Sequence, residues 1–323
     1  MKVLILGATG HVGSRLLTQL KQDKYETIAA SRGRLNSSHK EGHITLDSLN
    51  LQALTQSLHQ VDAVVNCVAG DKHSIAQGAQ VLVEAALASN KPRIVHLSTM
   101  SVYGGNEGNI TEVSSFDPSY GWYAAAKCEA ELQMDKYAQA GGQVVSLRPG
   151  CVHGPGSHLW VSRPANLLKT YRLGDLGDAG DGWSNLVHVD DVVRAIQIGL
   201  EMPVNPGEYK QYNLSAPDSP RWNQYLFDLA SAIRATPVKR LSRLQLKLDS
   251  KIISPSIKIG QILLSKLGQK SDWLPEPLPP SLVRLFDQHI FLNSEKFSQE
   301  HHFSYMSYKD SLRDSLDWLI KHI

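Results

Sequence analysis

The chain has 323 residues, 42% of them hydrophobic and 20% charged, with a formal net charge of +2. Such a length can bury a sizeable core in one large domain or two intimately joined ones, and the balanced charge gives no electrostatic case for nucleic acid. No apolar run reaches transmembrane length and nothing before Lys2 reads as a signal peptide, so no integral membrane segment and a cytoplasmic location are expected. Cys67, Cys128 and Cys151 are odd in number and lack metal-ligand spacing. They read as buried thiols in a reducing compartment, and no metal is expected.

Val3-Leu4-Ile5-Leu6 is an uninterrupted apolar run of strand length. It breaks at Gly7 and is followed by Ala8-Thr9-Gly10-His11-Val12-Gly13, after which Val12, Leu16, Leu17 and Leu20 fall on one helical face. Strand, glycine turn and helix is the context a phosphate-binding loop needs. Glycines let the backbone approach a pyrophosphate, and the helix N-terminus offers free N–H groups and a favourable dipole. The spacing is Gly-x-x-Gly-x-x-Gly, and the reading is a dinucleotide site over Gly7–Gly13.

Thr27–Ala30 reads as the second strand. An enzyme preferring NAD usually carries an acid soon after it for the adenosine ribose. Here the residues are Ser31-Arg32-Gly33-Arg34. Arg32, with Arg34 beside it, would welcome a 2′-phosphate, so NADP is expected over NAD. Ile44–Leu46 is a third strand, with Asp47 and Ser48 following where an adenine could be met. Ala63–Asn66 is a fourth, ending in Cys67 and the small residues Val68-Ala69-Gly70 that let a cofactor lie close. A helix from about Ala76 to Asn90 leads to a fifth strand, Arg93–Leu97. The alternation predicts a parallel, doubly wound sheet whose ligands sit at the strands' carboxyl ends.

Ser98-Thr99 follows the fifth strand, and Tyr123-Ala-Ala-Ala-Lys127 opens a helix reaching about Ala140. Tyrosine and lysine four apart share a helical face. A free tyrosine titrates near ~10, and a neighbouring ammonium should lower that value. The tyrosine could then exchange a proton with a substrate oxygen, which Thr99 could also bind. The same spacing recurs at Tyr305 and Lys309, far from any strand end, where it reads as a helix start on the surface. Only the flanking order separates the two pairs. Gln143–Leu147 and Tyr209–Leu214 complete seven strands.

With these stretches placed, the chain resembles the extended short-chain dehydrogenases/reductases, the NAD(P)-dependent epimerase/dehydratase-like family. The resemblance rests on Gly7, Gly10 and Gly13, on Ser98–Gly104, on Tyr123 and Lys127, on Arg148–Gly156 and on Leu186–Val192. It implies a Rossmann-type core, residues 1–150 with 186–214, and a smaller C-terminal substrate domain, residues 151–185 with 215–323. It makes Tyr123 the acid–base group, Thr99 the oxygen-binding hydroxyl, and Lys127 the residue that holds the nicotinamide ribose. Pro149, Gly150 and Val152 join the expected cofactor contacts. A homodimer through the helices after the fourth and fifth strands is a further implication.

His153 sits where the family has a residue that packs, and His188 and Asp190-Asp191 read as structural, with Asp190 as a helix cap. The loop Gly174–Gly182 and Trp183-Ser184-Asn185 are expected to line the substrate cleft. Leu244–Lys270 is basic and apolar. It reads as a solvated amphipathic helix pair, with a lid or a membrane-surface contact as alternatives. Leu312, Leu316, Leu319 and Ile323 mark one face of a final helix.

Three functions compete on this reading. A NADP-dependent carbonyl reductase or alcohol dehydrogenase with a small, rather apolar substrate is preferred. A sugar-nucleotide epimerase or dehydratase is the alternative, and a non-enzymatic NADP-binding protein is the third. Met100 and Ser101 stand where the family's dehydratases carry acids. Cys151 and Trp183–Asn185 do not match the patterns used for a diphosphate.

Overall fold

The structure is a computed structural model that describes residues 1–33, 42–269 and 274–322. Arg34, Lys270 and Ile323, which figure in the expectations above, lie outside the described residues. The apolar first run forms β1 (Lys2–Leu6), and its glycine turn leads into α1 (His11–Gln22). There follow β2 (Glu26–Ser31), β3 (His43–Thr45), α2 (Leu51–Leu58), β4 (Ala63–Asn66), α3 (Lys72–Leu87) and β5 (Arg93–Leu97). Then come β6 (Gly108–Ile110), α4 (Trp122–Gln139), β7 (Val144–Pro149), β8 (Cys151–His153), α5 (Arg163–Lys169), β9 (Leu186–His188) and α6 (Val189–Glu201).

Strands β10, β7, β5, β4, β1, β2 and β3 lie side by side in that order, and each neighbouring pair is parallel; β10 is Tyr209–Leu214. Strand order reverses at β1, which has β2 on one side and β4 on the other. That is the switch point where doubly wound sheets bind ligands. Side chains of β1 alternate between two cores. Val3 and Ile5 pack with Leu16 and Leu20 of α1 and Ile196 and Leu200 of α6. Leu4 and Leu6 pack with Leu54, Leu82 and Tyr137 of the helices on the other face. Each such buried Leu or Ile stabilises the fold by on the order of 1.5–3 kcal/mol.

The C-terminal third supplies α7 (Trp222–Ala232), α8 (Arg243–Leu248), α9 (Ser254–Lys266), α10 (Pro280–Asp287), β11 (Ile290–Leu292), α11 (Glu295–His301) and α12 (Tyr308–His322). A third cluster, which includes Trp222, Leu246, Phe286 and Leu319, unites α7, α8, α10 and α12 with α5. Phe297 and Phe303 instead join the core beneath α1 and α6.

Three expectations shift. The third helix starts at Lys72 rather than near Ala76, because the Asp71 carboxylate accepts from the Ser74 amide at 2.9 Å and caps it there. The sixth strand of the main sheet runs on to Pro149, where Leu214 of β10 pairs with it. Two small parallel pairs, β6 with β11 and β8 with β9, have no counterpart in the sequence reading. Strands of three residues carry too little periodicity to be seen.

Candidate active site

Gly7 is held at φ +78, and a Cβ there would lie 2.8 Å from the Cys67 carbonyl oxygen at the end of β4. A Cβ on Gly13 would stand 2.2 Å from the Gly7 carbonyl oxygen. Both positions therefore need glycine for the loop to close on β4 and for α1 to seat on β1. No side chain caps the N-terminus of α1, so the first-turn amides stay available to an anionic group. A nucleotide pyrophosphate suits such a donor set.

The expected cofactor residues gather in two adjoining clefts. Gly7, Thr9, Gly10, Ser31, Arg32, Asp47, Ser48, Val68 and Ala69 line the first, together with Cys67 and Ser74. Thr9, Gly10, His11, Ala69 and Val152 line the second. Val12 packs against the core beside α1, and Gly70 stands exposed just after β4. Pro149 and Gly150 line neither cleft. Pro149 is buried as the last residue of β7, and the Gly150 amide donates to the Leu214 carbonyl at 2.9 Å.

Thr99 follows β5 and caps a short 3₁₀ turn over Met100–Tyr103, its hydroxyl accepting from the Ser101 amide at 3.2 Å. Tyr123, at the start of α4, lies close enough to Thr99 for that hydroxyl to favour its phenolate. One turn on, Lys127 is only 3% exposed, and its Nζ donates to the Leu97 carbonyl at 2.8 Å. Strand end, hydroxyl, phenol and ammonium thus meet at the carboxyl edge of the sheet.

The electrostatics correct one expectation. Burial raises the Tyr123 pKa, and the neighbouring Thr99 hydroxyl offsets that only in part. Desolvation of the phenolate dominates, and the anticipated lowering by Lys127 is not among the influences on this phenol. Burial pulls Lys127 itself down to about 8, against the opposing influence of Cys67 and Glu131.

Glu131, one turn beyond Lys127, meets Arg148 of β7 at 2.8 Å with both side chains 1% exposed. Burial alone would push the Glu131 carboxyl up, but the Arg148 charge and hydrogen bonds hold it down at about 2. The guanidinium also donates to the Tyr103 hydroxyl at 3.0 Å, which donates in turn to Asn213 Oδ1 at 2.7 Å. This network ties α4 to β7, β10 and the Thr99 turn. The sequence reading did not pair these residues. The available signal was the spacing Tyr123–Lys127–Glu131, which extends one helical face by a further four.

A family model described as the NAD dependent epimerase/dehydratase family matches residues 3–215. The chain belongs to this family. Its members are NAD(P)-dependent enzymes of the extended short-chain dehydrogenase/reductase type. Among curated relatives, Protein YeeZ of Escherichia coli is 30% identical over 247 residues, covering 74% of this chain and 79% of that protein. The 2-alkyl-3-oxoalkanoate reductase of Stenotrophomonas maltophilia is 27% identical over 217 residues, 62% of this chain and 66% of that protein. Among solved structures, the dTDP-glucose 4,6-dehydratase DesIV of Streptomyces venezuelae shares the fold with a TM-score of 0.75 at 21% identity. That match covers 99% of this chain and 97% of that one.

Within this family frame, several side chains sit differently from the sequence expectation. The Gly174–Gly182 loop is tied to the segment between α7 and α8. Asp175 bridges to Arg240, and the Leu241 amide donates to the Asp175 carbonyl at 2.8 Å. Asn185 is turned to β11. Its amide donates to the Ile290 carbonyl at 2.9 Å and its Oδ1 accepts from the Leu292 amide at 2.9 Å, so it secures β11. The Trp183 ring stacks edge-on against Phe291 with Arg221 over its face.

His188, not Asp190, caps α6, its Nδ1 accepting from the Asp190 amide at 3.3 Å. Asp190 is free for Arg15, which grips both its oxygens at 2.6 and 2.8 Å. His188, Asp190 and Asp314 bring potential ligand atoms within 4.8 Å of one another, but the Arg15 clamp already occupies both Asp190 oxygens. His153 packs edge-on to His188 and meets Ser315 Oγ at 3.2 Å; burial lowers its pKa to about 3, so it stays neutral. Tyr305 is no surface helix residue. It precedes α12 and packs against Phe303 with ring centroids 4.9 Å apart. The three cysteines are free thiols whose pKa values burial raises.

Proposed function

We propose that the chain is a NADP-dependent carbonyl reductase or alcohol dehydrogenase that acts on a rather apolar substrate in the cytoplasm. The observation that carries this reading is the buried Lys127, bonded to the last carbonyl of β5 one helical turn after Tyr123, with Thr99 following that strand. A nicotinamide dinucleotide bound along the glycine loop would supply or accept the hydride. Tyr123 donates its phenol proton to the substrate oxygen during reduction and withdraws it during oxidation. Thr99 holds the same oxygen, and Lys127 uses its remaining donors to orient the ribose and to favour the phenolate once it forms. Arg32, exposed in the cleft with Ser31, meets the 2′-phosphate.

Substrate class is argued from what surrounds this centre. Met100 and Ser101 give no acid beside Thr99 for eliminating water. Cys151 is buried and Asn185 is spent on β11, so neither is free for a nucleotide diphosphate. Leu159, Trp160 and Trp318 wall the wider cleft beside the glycine loop with apolar surface. One of the reductases among the relatives is named for a 2-alkyl-3-oxoalkanoate, a substrate with an alkyl chain, and another for a dTDP-sugar. We place the substrate domain at residues 151–185 and 215–323, and a homodimer on α3 and α4, where Leu87 and Leu132 are exposed.

A screen of NADPH consumption tests the reading. Ketones or aldehydes with alkyl chains should drive net oxidation of the cofactor. Turnover of a UDP- or dTDP-sugar with no net cofactor change would assign the chain to epimerisation instead.

A further inference from the structure

Helix α9 reverses the usual order of a surface helix. Ile259, Leu263 and Leu267 are spaced by four and form one stripe, and that stripe points outward, with the three residues 59%, 55% and 73% exposed. The only residue α9 buries is Ser254. Leu244 and Leu248 of α8, with Ile252, Ile253 and Ile262, continue the exposed apolar surface. Single exposed apolar residues need no explanation, but a contiguous group marks a surface that something covers.

The segment is fixed in place. Arg172 grips the Asp249 carboxylate at 2.6 and 2.8 Å, and the Leu278 amide donates to Ser254 Oγ at 2.7 Å. Leu246 and Leu278 are buried in the core that holds Trp222 and Phe286. These anchors argue against a swinging lid and for a preformed face.

Its charge is of one sign. Over residues 243–269 the single acid, Asp249, is buried against Arg172. Arg243 is occupied by Asp178 and Asp287. Lys247, Lys251, Lys258 and Lys266 are exposed, and none pairs with an acid among the described residues. A second copy docking through a two-fold axis would set these lysines against their own duplicates. An anionic lipid surface would instead meet them with phosphates while accepting the apolar stripe.

We infer that the α8–α9 face docks the enzyme on anionic membrane surfaces, with Ile259, Leu263 and Leu267 entering the headgroup–acyl boundary and the four lysines meeting lipid phosphates. This attachment does not depend on the reaction proposed above. Co-sedimentation of the full chain with phosphatidylcholine vesicles, with and without phosphatidylglycerol, tests it. Binding should be at least about tenfold tighter with the anionic lipid and should weaken with added salt. The double variant Ile259→Asp/Leu263→Asp should lose at least about tenfold of that binding, as should Lys258→Glu/Lys266→Glu. Val113→Asp, 93% exposed in the loop between β6 and α4, should bind as the parent does. All three should keep the parental circular dichroism and melting, since the altered side chains are exposed. No preference for anionic vesicles, or unchanged binding by both double variants, would overturn the inference. So would a concentration-dependent dimer, seen by sedimentation velocity, that Ile259→Asp/Leu263→Asp abolishes.

Discussion

The Lys127 ammonium donates to the main-chain carbonyl of Leu97 at 2.8 Å, so one buried cation joins the helix that carries Tyr123 to the strand that delivers Thr99. The bond uses one of three N–H donors and leaves the others for a ligand. It also sets Lys127 where desolvation is strong, which is why its pKa falls to about 8.

A pH profile follows. Burial keeps Tyr123 in its phenol form well into the alkaline range, so the proton donor for reduction stays loaded. Lys127 discharges near 8. For carbonyl reduction, kcat/KM should be level below about pH 7 and fall as pH rises through about 8. Lys127→Arg, which keeps its charge, should be slower yet lose that fall. A parental profile level to pH 10 would remove Lys127 from the mechanism.

Cofactor choice rests on Arg32, exposed in the first cleft with no acid beside it on β2. NADPH should bind more tightly than NADH, and Arg32→Asp should narrow or reverse the difference. A charge-assisted bond from a guanidinium to a phosphate is worth on the order of 1.5–3 kcal/mol, about ten- to a hundredfold in affinity. Titration of cofactor fluorescence measures both, and equal parental affinities would contradict the assignment.

The Glu131–Arg148 pair makes a stability prediction. The folded carboxyl titrates at about 2, below its unfolded value near ~4.3. Its contribution is therefore fully present above the unfolded value and is lost as pH falls toward 2. Glu131→Gln leaves the Arg148 charge buried without its partner and should cost about 3–5 kcal/mol at neutral pH. The variant should also lose less stability than the parent between pH 4.5 and 2. Urea unfolding at several pH values measures this; a loss below about 1 kcal/mol would show that the pair contributes little.

What was legible in the sequence was local. The apolar run before Gly7, the glycines after it and the Tyr123/Lys127 spacing all lie within one strand, turn or helix, where period and residue type determine geometry. The seven strands of the sheet could be placed in this way. Contacts across long separations could not. Asn185 is pinned to β11 by residues more than a hundred positions away, so its residue type suggested a ligand contact where the fold uses it as a brace. Arg148 and Glu131 lie on different elements, and nothing short of the fold brings them together. The α9 stripe shows the same limit in another form. Periodicity reveals that Ile259, Leu263 and Leu267 align, while only the tertiary structure reveals that they point outward. Tyr305 likewise shares its spacing with Tyr123 and none of its surroundings.

That contrast gives the most direct test of the account. Tyr123→Phe removes one oxygen and should leave folding and NADPH affinity nearly unchanged. In single-turnover reduction of a ketone substrate, its hydride-transfer rate should fall at least about a hundredfold, the scale of lost acid–base catalysis. Tyr305→Phe, altered in the core beside Phe303, should keep the parental rate. A near-parental rate in Tyr123→Phe would contradict the mechanism, however well the fold and the cofactor site held.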